Sequence, residues 1–354
     1  MWKKTVLAVL AGIFLTACSS QTAEVPEQSG SGTETAQAGG ETAESTEGSQ
    51  ETIVLRLGDT QAEDHPQSQS YYIFADRVKE LTNGRVEVEV FVNSALGNHR
   101  DMLEGLKLGT LHITKCMVTD LSTYFPEVQI FGLPYIFTSK EHMFRVCDGE
   151  IGDYFANEVL AKEDFIGLSW FDAGARSIYN SKRPVRTLED MKGLLLRVPE
   201  NEVYMSAMQA FGATGTPMPM GDIYTAIQTG VIDGAENAAA VYVGMKHYES
   251  AKYYSLTNHI RTPDIMVMSK SYLESLPEDI QEALLIAFEE LQENERRLWI
   301  ESDEKFMQQA QEGGAIINDD VDQEAFREAA RQVWADYTDI VGQDMIYQIE
   351  ALAD

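Results

Sequence analysis

Cysteine is scarce in this sequence of 354 residues, which contains only 3. Cys116 and Cys147 stand far apart, and no Cys-x-x-Cys pair occurs, so the usual sequence signature of a zinc or thiol-redox site is missing. These two cysteines are expected to be either buried free thiols or a disulfide, because the sequence does not give the distance between their Cα atoms. We predict no metal site and no cofactor.

Basic residues are also few, with 27 Lys and Arg against 57 Asp and Glu, for a net charge of −30. Such a charge argues against a nucleic-acid partner and against binding to anionic membrane surfaces. It would also repel a small anionic ligand. Attraction of such a ligand would therefore have to come from a few local cations in a shielded cleft.

Apolar runs long enough to cross a membrane are missing as well. Residues 6–15 form the one notable run, which is too short for a helix across a bilayer of roughly 30 Å. The run follows two lysines and leads into Leu15-Thr16-Ala17-Cys18. This pattern resembles the lipobox of bacterial lipoproteins. We predict a signal peptide over residues 1–17 and a lipid on Cys18. An ordinary signal peptide with a chance cysteine is the alternative.

Residues 18–51 have little that could form a core. After Cys18 they contain no Lys, Arg or aromatic residue and are dominated by Ser, Thr, Glu, Gln, Gly and Ala. Such a composition predicts a disordered tether, with an end-to-end distance of roughly 30 Å. The expected location is the extracytoplasmic face of the cell membrane, where the lipid anchor holds the chain.

The remaining chain shows strand and helix periods in turn. Val86, Val88 and Val90 alternate with glutamates, which is the period of a strand, and the residues before them follow helical spacing. A repeated strand–helix order predicts mostly parallel sheets flanked by helices. About 300 residues suit two lobes better than one core.

Residues 277–311 carry an apolar stripe without a helix breaker, which predicts a helix about 50 Å long. A helix of that length exceeds the needs of one small lobe and is expected to span both. We assign residues 52–173 and about 262–300 to lobe I, and residues 174–261 and about 301–354 to lobe II.

Catalytic motifs are absent: the sequence has no Gly-x-Ser-x-Gly elbow, His-Glu-x-x-His helix or phosphate loop. Residues 318–322 are acidic, but they lack the central glycine and distal glutamate of a calcium loop, so we expect them to cap the last helix. His142 and His247 are expected at helix surfaces or boundaries. The chain is therefore predicted not to be an enzyme.

Three polar residues are expected at strand ends, where clefts of open sheets bind ligands. Arg197 ends an apolar strand, Arg176 closely follows another, and Asn237 ends a third. Each arginine alone could equally be an ordinary solvated side chain, and Asn237 alone could be a turn residue.

Several segments together resemble the substrate-binding subunit of tripartite ATP-independent periplasmic (TRAP) transporters, in the dicarboxylate-binding-type (DctP) family and its lipoprotein form. The similarity covers nearly everything from residue 54 to residue 259 and is weaker beyond. Each motif is weak alone, whereas their order and spacing are specific. The segments are residues 74–78, 82–86, 133–137, 190–194, 216–218 and 228–230, with His247-Tyr248-Glu249 before Lys252-Tyr253.

The resemblance implies a two-lobed clam-shell fold and specific binding roles. An arginine matching Arg197 pairs bidentately with the ligand carboxylate, a second arginine matches Arg176, and the residue matching Asn237 hydrogen-bonds the ligand. A guanidinium suits this role because its two parallel N–H groups fit the two oxygens of a carboxylate.

The sequence also departs from the family. Ala238 replaces the usual proline, while His99 and Met117 replace polar or acidic ligand contacts of some members. These departures weaken an assignment to sialic acid or a simple C4-dicarboxylate. The segment Gly234-Ala235-Glu236-Asn237 resembles members that bind uronates and related sugar acids, which favours a sugar acid as ligand. Met220 and Tyr242 are then expected to line the sugar, with core packing as the alternative for Met220.

The implied partners are a small carboxylate and the small and large membrane subunits of a TRAP permease (DctQ-like and DctM-like), with no nucleic acid. Three alternatives stay open from the sequence. They are a sensor module that feeds a receptor, a lipid-anchored hydrolase or lyase of similar shape, and a C4-dicarboxylate or another organic acid as ligand.

Overall fold

The computed structural model describes residues 52–353, apart from the side chains of residues 303 and 304. Cys18 and the predicted signal peptide and tether lie outside the described residues. The strands are β1 (Ile53–Gly58), β2 (Val86–Phe91), β3 (Ile113–Met117), β4 (Phe165–Phe171), β5 (Arg176–Asn180), β6 (Leu195–Val198), β7 (Thr214–Pro217), β8 (Gly234–Asn237), β9 (Tyr253–Ile260), β10 (Asp264–Ser269) and β11 (Ile316–Asn318).

Helices connect these strands, and short 3₁₀ turns such as Val118–Thr123 and Met220–Asp222 lie between them. The α-helices are α1 (Pro66–Leu81), α2 (His99–Lys107), α3 (Lys140–Cys147), α4 (Glu150–Tyr154), α5 (Leu188–Met191), α6 (Glu202–Ala210), α7 (Ile223–Gln228), α8 (Ala239–Gly244), α9 (Lys270–Ser275), α10 (Glu278–Glu312), α11 (Gln323–Val341) and α12 (Gln343–Glu350).

Local sequence explains the ends of the first helix. His65 caps α1, since its Nδ1 accepts a hydrogen bond from the Gln67 backbone N–H at 3.3 Å, and Pro66 occupies the first turn. The helix ends before Asn83 and Gly84, which both adopt a positive φ.

The strands form two mixed sheets. The first has the order β2-β1-β3-β10-β4, in which β1 runs parallel to β2 and β3 while β10 runs antiparallel to β3 and β4. The second has the order β11-β9-β5-β8-β6-β7, in which β5 runs antiparallel to both neighbours. The predicted α/β fold of two helix-flanked sheets is confirmed.

The chain passes between the two sheets at residues 172–175, between β4 and β5, and again at residues 261–263, between β9 and β10. A salt bridge of 3.2 Å from Arg261 to Asp172 joins the two crossings. Gly174 has a φ of +73° there and packs against Ala238 and Trp299. We propose that these crossings are the hinge between the lobes. The lobe boundaries given above remain a prediction.

The long helix α10 contacts both sheets, as predicted. Leu284, Phe288 and Leu291 pack into the hydrophobic cluster of the first sheet. Ala310, near the other end of the helix, is buried in the cluster of the second sheet. The Phe288 carbonyl also accepts a hydrogen bond of 2.7 Å from Ser169 in β4. One rigid element therefore supports both halves of the fold.

The structure also tests the predictions made for two histidines, two cysteines and one helix cap. His142 and His247 lie at the starts of helices, as one of the two predicted alternatives had it, but they are buried and bond to the Ile349 carbonyl and the Tyr179 hydroxyl, both at 2.8 Å, so the surface alternative was wrong. Cys116 and Cys147 are buried free thiols. Asp322 caps α11 through the Ala325 N–H, as predicted.

No helix within residues 52–353 is both long enough and apolar enough to cross a lipid bilayer.

Candidate functional site

A cleft of about 240 Å³ lies between the strand ends of the two sheets. This volume suits a ligand smaller than a typical drug molecule. The second sheet contributes Arg176, Arg197 and Asn237 to the cleft, and the first sheet contributes Lys115 and Asp264. Arg176, Asn237 and Arg197 lie close together because their strands β5, β8 and β6 are neighbours in the second sheet.

Arg176 is neutralised by Glu236 inside the protein. Its Nε and Nη2 donate to the two carboxylate oxygens at 2.6 and 2.8 Å, and both side chains are almost fully buried. Burial raises the pKa of Glu236, but the Arg176 charge and the hydrogen bonds from Arg176 and His259 together outweigh burial and lower that pKa to about 2. The pair contributes little net charge to the cleft.

Asn237 is oriented by the same arginine. Its Oδ1 accepts hydrogen bonds from Arg176 Nη1 at 3.1 Å and from the Ala238 N–H at 2.9 Å. The amide nitrogen Nδ2 makes no hydrogen bond within the described chain. Asn237 can therefore donate to an acceptor in the cleft.

Arg197 has no carboxylate partner within residues 52–353. Its Nε donates to the Met218 carbonyl at 2.7 Å, and its terminal amino groups make no hydrogen bond in the described chain. The side chain is buried, and burial together with nearby Arg176 lowers its pKa to about 10. A buried, uncompensated cation is costly unless an anion neutralises it. The geometry thus creates a site for one negative charge.

The wall from the first sheet is a network of buried charges. Lys115 Nζ lies 3.2 Å from both Asp59 Oδ1 and Asp264 Oδ2. Burial lowers the pKa of Lys115, but the two carboxylates outweigh it and raise the pKa above its ordinary value. Gln67 Nε2 donates to Asp264 at 2.9 Å, and the Tyr71 hydroxyl donates to Asp59 at 2.9 Å.

His99 lies on the same wall and is part of a second chain of hydrogen bonds. Its Nδ1 is 2.6 Å from Asp120 Oδ2, and its Nε2 is 2.9 Å from the Thr60 hydroxyl. Burial lowers the pKa of His99, but Asp120 outweighs that effect and raises it to about 9. The imidazole is therefore a cation at neutral pH, and both nitrogens donate.

The other sequence-predicted residues divide into two groups. Met220 lines the cleft and also packs against the hydrophobic cluster of the second sheet. Tyr242 does not line the cleft. Its ring is buried 4.8 Å from Tyr179 and 4.7 Å from Tyr254, and its hydroxyl donates to the Ala251 carbonyl. The structure therefore places Tyr242 in the core, because α8 turns it away from the ligand side.

Sequence reasoning missed the cleft residues Lys115, Asp120 and Asp264, and also Asp59, which pairs with Lys115 from behind the wall. Lys115 carried a usable signal, since a lysine within a buried strand requires carboxylate partners. The carboxylates themselves carried none, because they come from separate segments of the chain.

The arrangement can bind an anion but shows no means of activating one. Within residues 52–353, no cluster of three or more His, Cys, Asp or Glu side chains is placed to hold a metal ion. The buried charged groups of the cleft are instead paired in ion pairs, with Arg197 as the exception among the described residues, whereas Arg100, Glu104 and Glu200 are exposed. This pattern is typical of a binding site.

Comparison with known proteins agrees with this geometry. Residues 57–339 match the family described as bacterial extracellular solute-binding protein, family 7. The chain belongs to this family. The resemblance to this family is therefore confirmed, whereas the lipoprotein form stays a prediction, and the chain is a solute-binding protein of an extracellular class rather than an enzyme.

Relatives of this solute-binding protein include a solute-binding protein of Chromohalobacter salexigens, 37% identical over 76% of this chain and 80% of that protein. A TRAP solute-binding protein of the same species, solved with bound D-glucuronate, shares 34% identity and a TM-score of 0.80, over 84% of this chain and 99% of that one. A third, from Sulfurospirillum deleyianum with bound succinate, shares 30% identity and a TM-score of 0.81, over 85% and 99% of the two chains.

Proposed function

We propose that this chain captures a sugar acid of the uronate class and delivers it to the small and large membrane subunits of a TRAP permease. The observation that carries the proposal is the buried Arg197, which has a free face toward the cleft and no carboxylate partner in the described chain. The bound D-glucuronate of the related C. salexigens protein supports the ligand class.

The carboxylate of the ligand is proposed to pair with the two terminal amino groups of Arg197. A bidentate guanidinium–carboxylate pair contributes roughly 1.5–3 kcal/mol for each hydrogen bond. Asn237 Nδ2 would donate to the same ligand, while Arg176 holds the Asn237 amide in place and adds positive potential. Met220 would contact the sugar face, and His99 would contact its hydroxyl groups.

The experiment is isothermal titration of the purified full-length chain with D-glucuronate, D-galacturonate and succinate. We expect micromolar binding of at least one uronate, which corresponds to about −8 kcal/mol. Binding of neutral sugars alone would contradict a carboxylate ligand.

Arg197→Lys tests the anchor. Lysine keeps the charge but presents a single ammonium, so the affinity should fall by about two orders of magnitude while the melting temperature without ligand stays similar. An affinity within threefold of the wild type would contradict the bidentate pair. Lys182→Arg is a matched control, since Lys182 is an exposed partner of Asp233 outside the cleft.

Delivery to a permease is tested by uptake of radiolabelled uronate in cells that express the chain together with two candidate membrane subunits. Uptake should require all three proteins. If ligand binding instead changes the output of a neighbouring receptor without uptake, the chain is a sensor module.

Lipid anchoring through Cys18 is a separate proposal, supported by the sequence before that residue. Cells grown with labelled palmitate should label the wild-type chain but not Cys18→Ser, and the variant should no longer sediment with membranes. Equal labelling of both proteins would contradict the anchor.

A further inference from the structure

The wall that faces Arg197 across the cleft carries more acid than base. We call it the acidic wall; Asp120, Asp264, Lys115 and His99 line the cleft, and Asp59 lies buried behind Lys115. Carboxylates thus outnumber cations by one, even with His99 protonated. At the rim, Arg100 and Glu104 carry opposite charges and leave this difference unchanged.

Among these carboxylates, Asp120 is the one that a ligand can reach. Asp59 and Asp264 are 0% and 2% exposed and lie against Lys115. The side chain of Asp120 is 18% exposed, and that of its partner His99 is 19% exposed.

One oxygen of the Asp120 carboxylate is also available to accept a hydrogen bond from a ligand. Its Oδ2 accepts hydrogen bonds from His99 Nδ1 at 2.6 Å and from the Met117 N–H at 3.1 Å. Its Oδ1 makes no hydrogen bond within the described chain. Two donors hold the carboxylate by one oxygen, so the other is a fixed acceptor.

The negative charge of Asp120 acts on Arg197 across the cleft. It raises the pKa of Arg197, whereas burial lowers that pKa. A ligand that pairs its carboxylate with Arg197 therefore extends toward a negative group. A hydroxyl there can donate a hydrogen bond to Asp120, whereas a carboxylate can only accept and is repelled.

We propose that Asp120, held by His99 and the Met117 N–H, determines ligand specificity by accepting a hydroxyl of a monocarboxylate sugar acid and excluding a second carboxylate. This inference rests on the proposed capture of a carboxylate at Arg197. It assigns the two ends of the cleft opposite preferences: the Arg197 end takes the anion and the Asp120 end takes a neutral hydrogen-bond donor.

The test compares D-glucuronate with D-glucarate, which has the same carbon skeleton and a second carboxylate. The purified full-length chain is titrated with each ligand by calorimetry. We expect the wild type to bind glucuronate at least about tenfold more tightly, the effect of one charge-assisted hydrogen bond. In Asp120→Asn, which removes the charge and keeps an acceptor, this ratio should fall about tenfold, mainly because glucarate binds more tightly.

Glu104→Gln is the matched control. Glu104 lines the same cleft, but its carboxylate accepts a hydrogen bond of 2.5 Å from the Tyr124 hydroxyl at the rim. Loss of its charge should leave the glucuronate-to-glucarate ratio within twofold of the wild-type ratio. Asp120→Ser serves as a second variant should Asp120→Asn fail to fold, and its ratio should move in the same direction.

Two results would overturn the proposal while leaving carboxylate capture intact. One is a wild type that binds glucarate as tightly as glucuronate, and the other is an unchanged ratio in both Asp120 variants. A wild type that binds no carboxylate at all would contradict the proposed function itself and this inference with it.

Discussion

Glu236 meets Arg176 through two parallel hydrogen bonds, from Nε to Oε2 at 2.6 Å and from Nη2 to Oε1 at 2.8 Å. The neighbouring Arg197 has only the Met218 carbonyl as a partner in the described chain. Both arginines were predicted at strand ends, but only Arg197 has a positive charge that no carboxylate of the described chain neutralises.

Glu236→Gln should destabilise the protein strongly. The substitution leaves the Arg176 cation buried without its counter-ion, for which we expect a loss of about 3–5 kcal/mol in the free energy of unfolding, measured by urea titration. Asp320→Asn removes an exposed partner of Arg186 and serves as a control whose midpoint should not move. A loss below 1 kcal/mol for Glu236→Gln would contradict the buried ion pair.

The same pair should make the wild type sensitive to acid. Arg176 lowers the pKa of Glu236 to about 2, from an ordinary value of 4.5. Its stabilisation is therefore complete above pH 4.5 and is lost as the pH falls toward 2. The difference in melting temperature between the wild type and Glu236→Gln should shrink between pH 5 and pH 2.5. A constant difference would show that folding does not lower the pKa of Glu236.

Glu295, on α10, should show the opposite dependence on pH. Burial, and then nearby Asp172, raise the pKa of this carboxyl well above 4.5. The folded state holds it protonated, whereas the unfolded chain ionises it, so its effect on stability becomes unfavourable as the pH rises above 4.5. Glu295→Gln should therefore gain stability relative to the wild type at pH 8 but not at pH 4. Equal gains at both values would contradict a protonated Glu295.

Tyr242→Phe should lower the stability of the fold without changing the affinity for the ligand. The Tyr242 hydroxyl donates to the Ala251 carbonyl at 2.8 Å in the core, and its loss should cost about 1 kcal/mol of stability. Uronate affinity by calorimetry should stay within twofold of the wild type, because the side chain does not line the cleft. A tenfold loss of affinity would instead support the ligand-wall role expected from the sequence.

Gly174→Ala should affect the proposed hinge. The residue has a φ of +73°, and a Cβ there would lie 2.8 Å from the Ala238 Cβ and 2.9 Å from the Trp299 ring. Both the backbone strain and the contacts disfavour alanine, so we expect a loss of more than 1 kcal/mol and weaker uronate binding. Gly221→Ala is the control, since a Cβ there meets nothing within 4 Å. Similar stability losses in the two variants would contradict a specific constraint at the crossing.

Local pattern was sufficient for much of the fold. The valine alternation of β2, the apolar stripe of α10 and the Asp322 cap of α11 appear in the structure where the sequence predicted them. Each depends on residues within one or two turns of one another, and such short-range preferences are readable from the order of residues. The surface exposure considered for His142 and His247 was wrong, because burial depends on which distant segments pack over a helix.

The sequence by itself therefore determined the elements, the family resemblance and the strand ends that hold Arg176, Arg197 and Asn237. The tertiary structure decided which of those side chains has charge available for a ligand. Glu236 lies 60 residues from Arg176 in the chain, and Lys115 draws its carboxylates from β10 and from the end of β1. Charge compensation acts over a few ångströms in space, and only the folded chain establishes those distances.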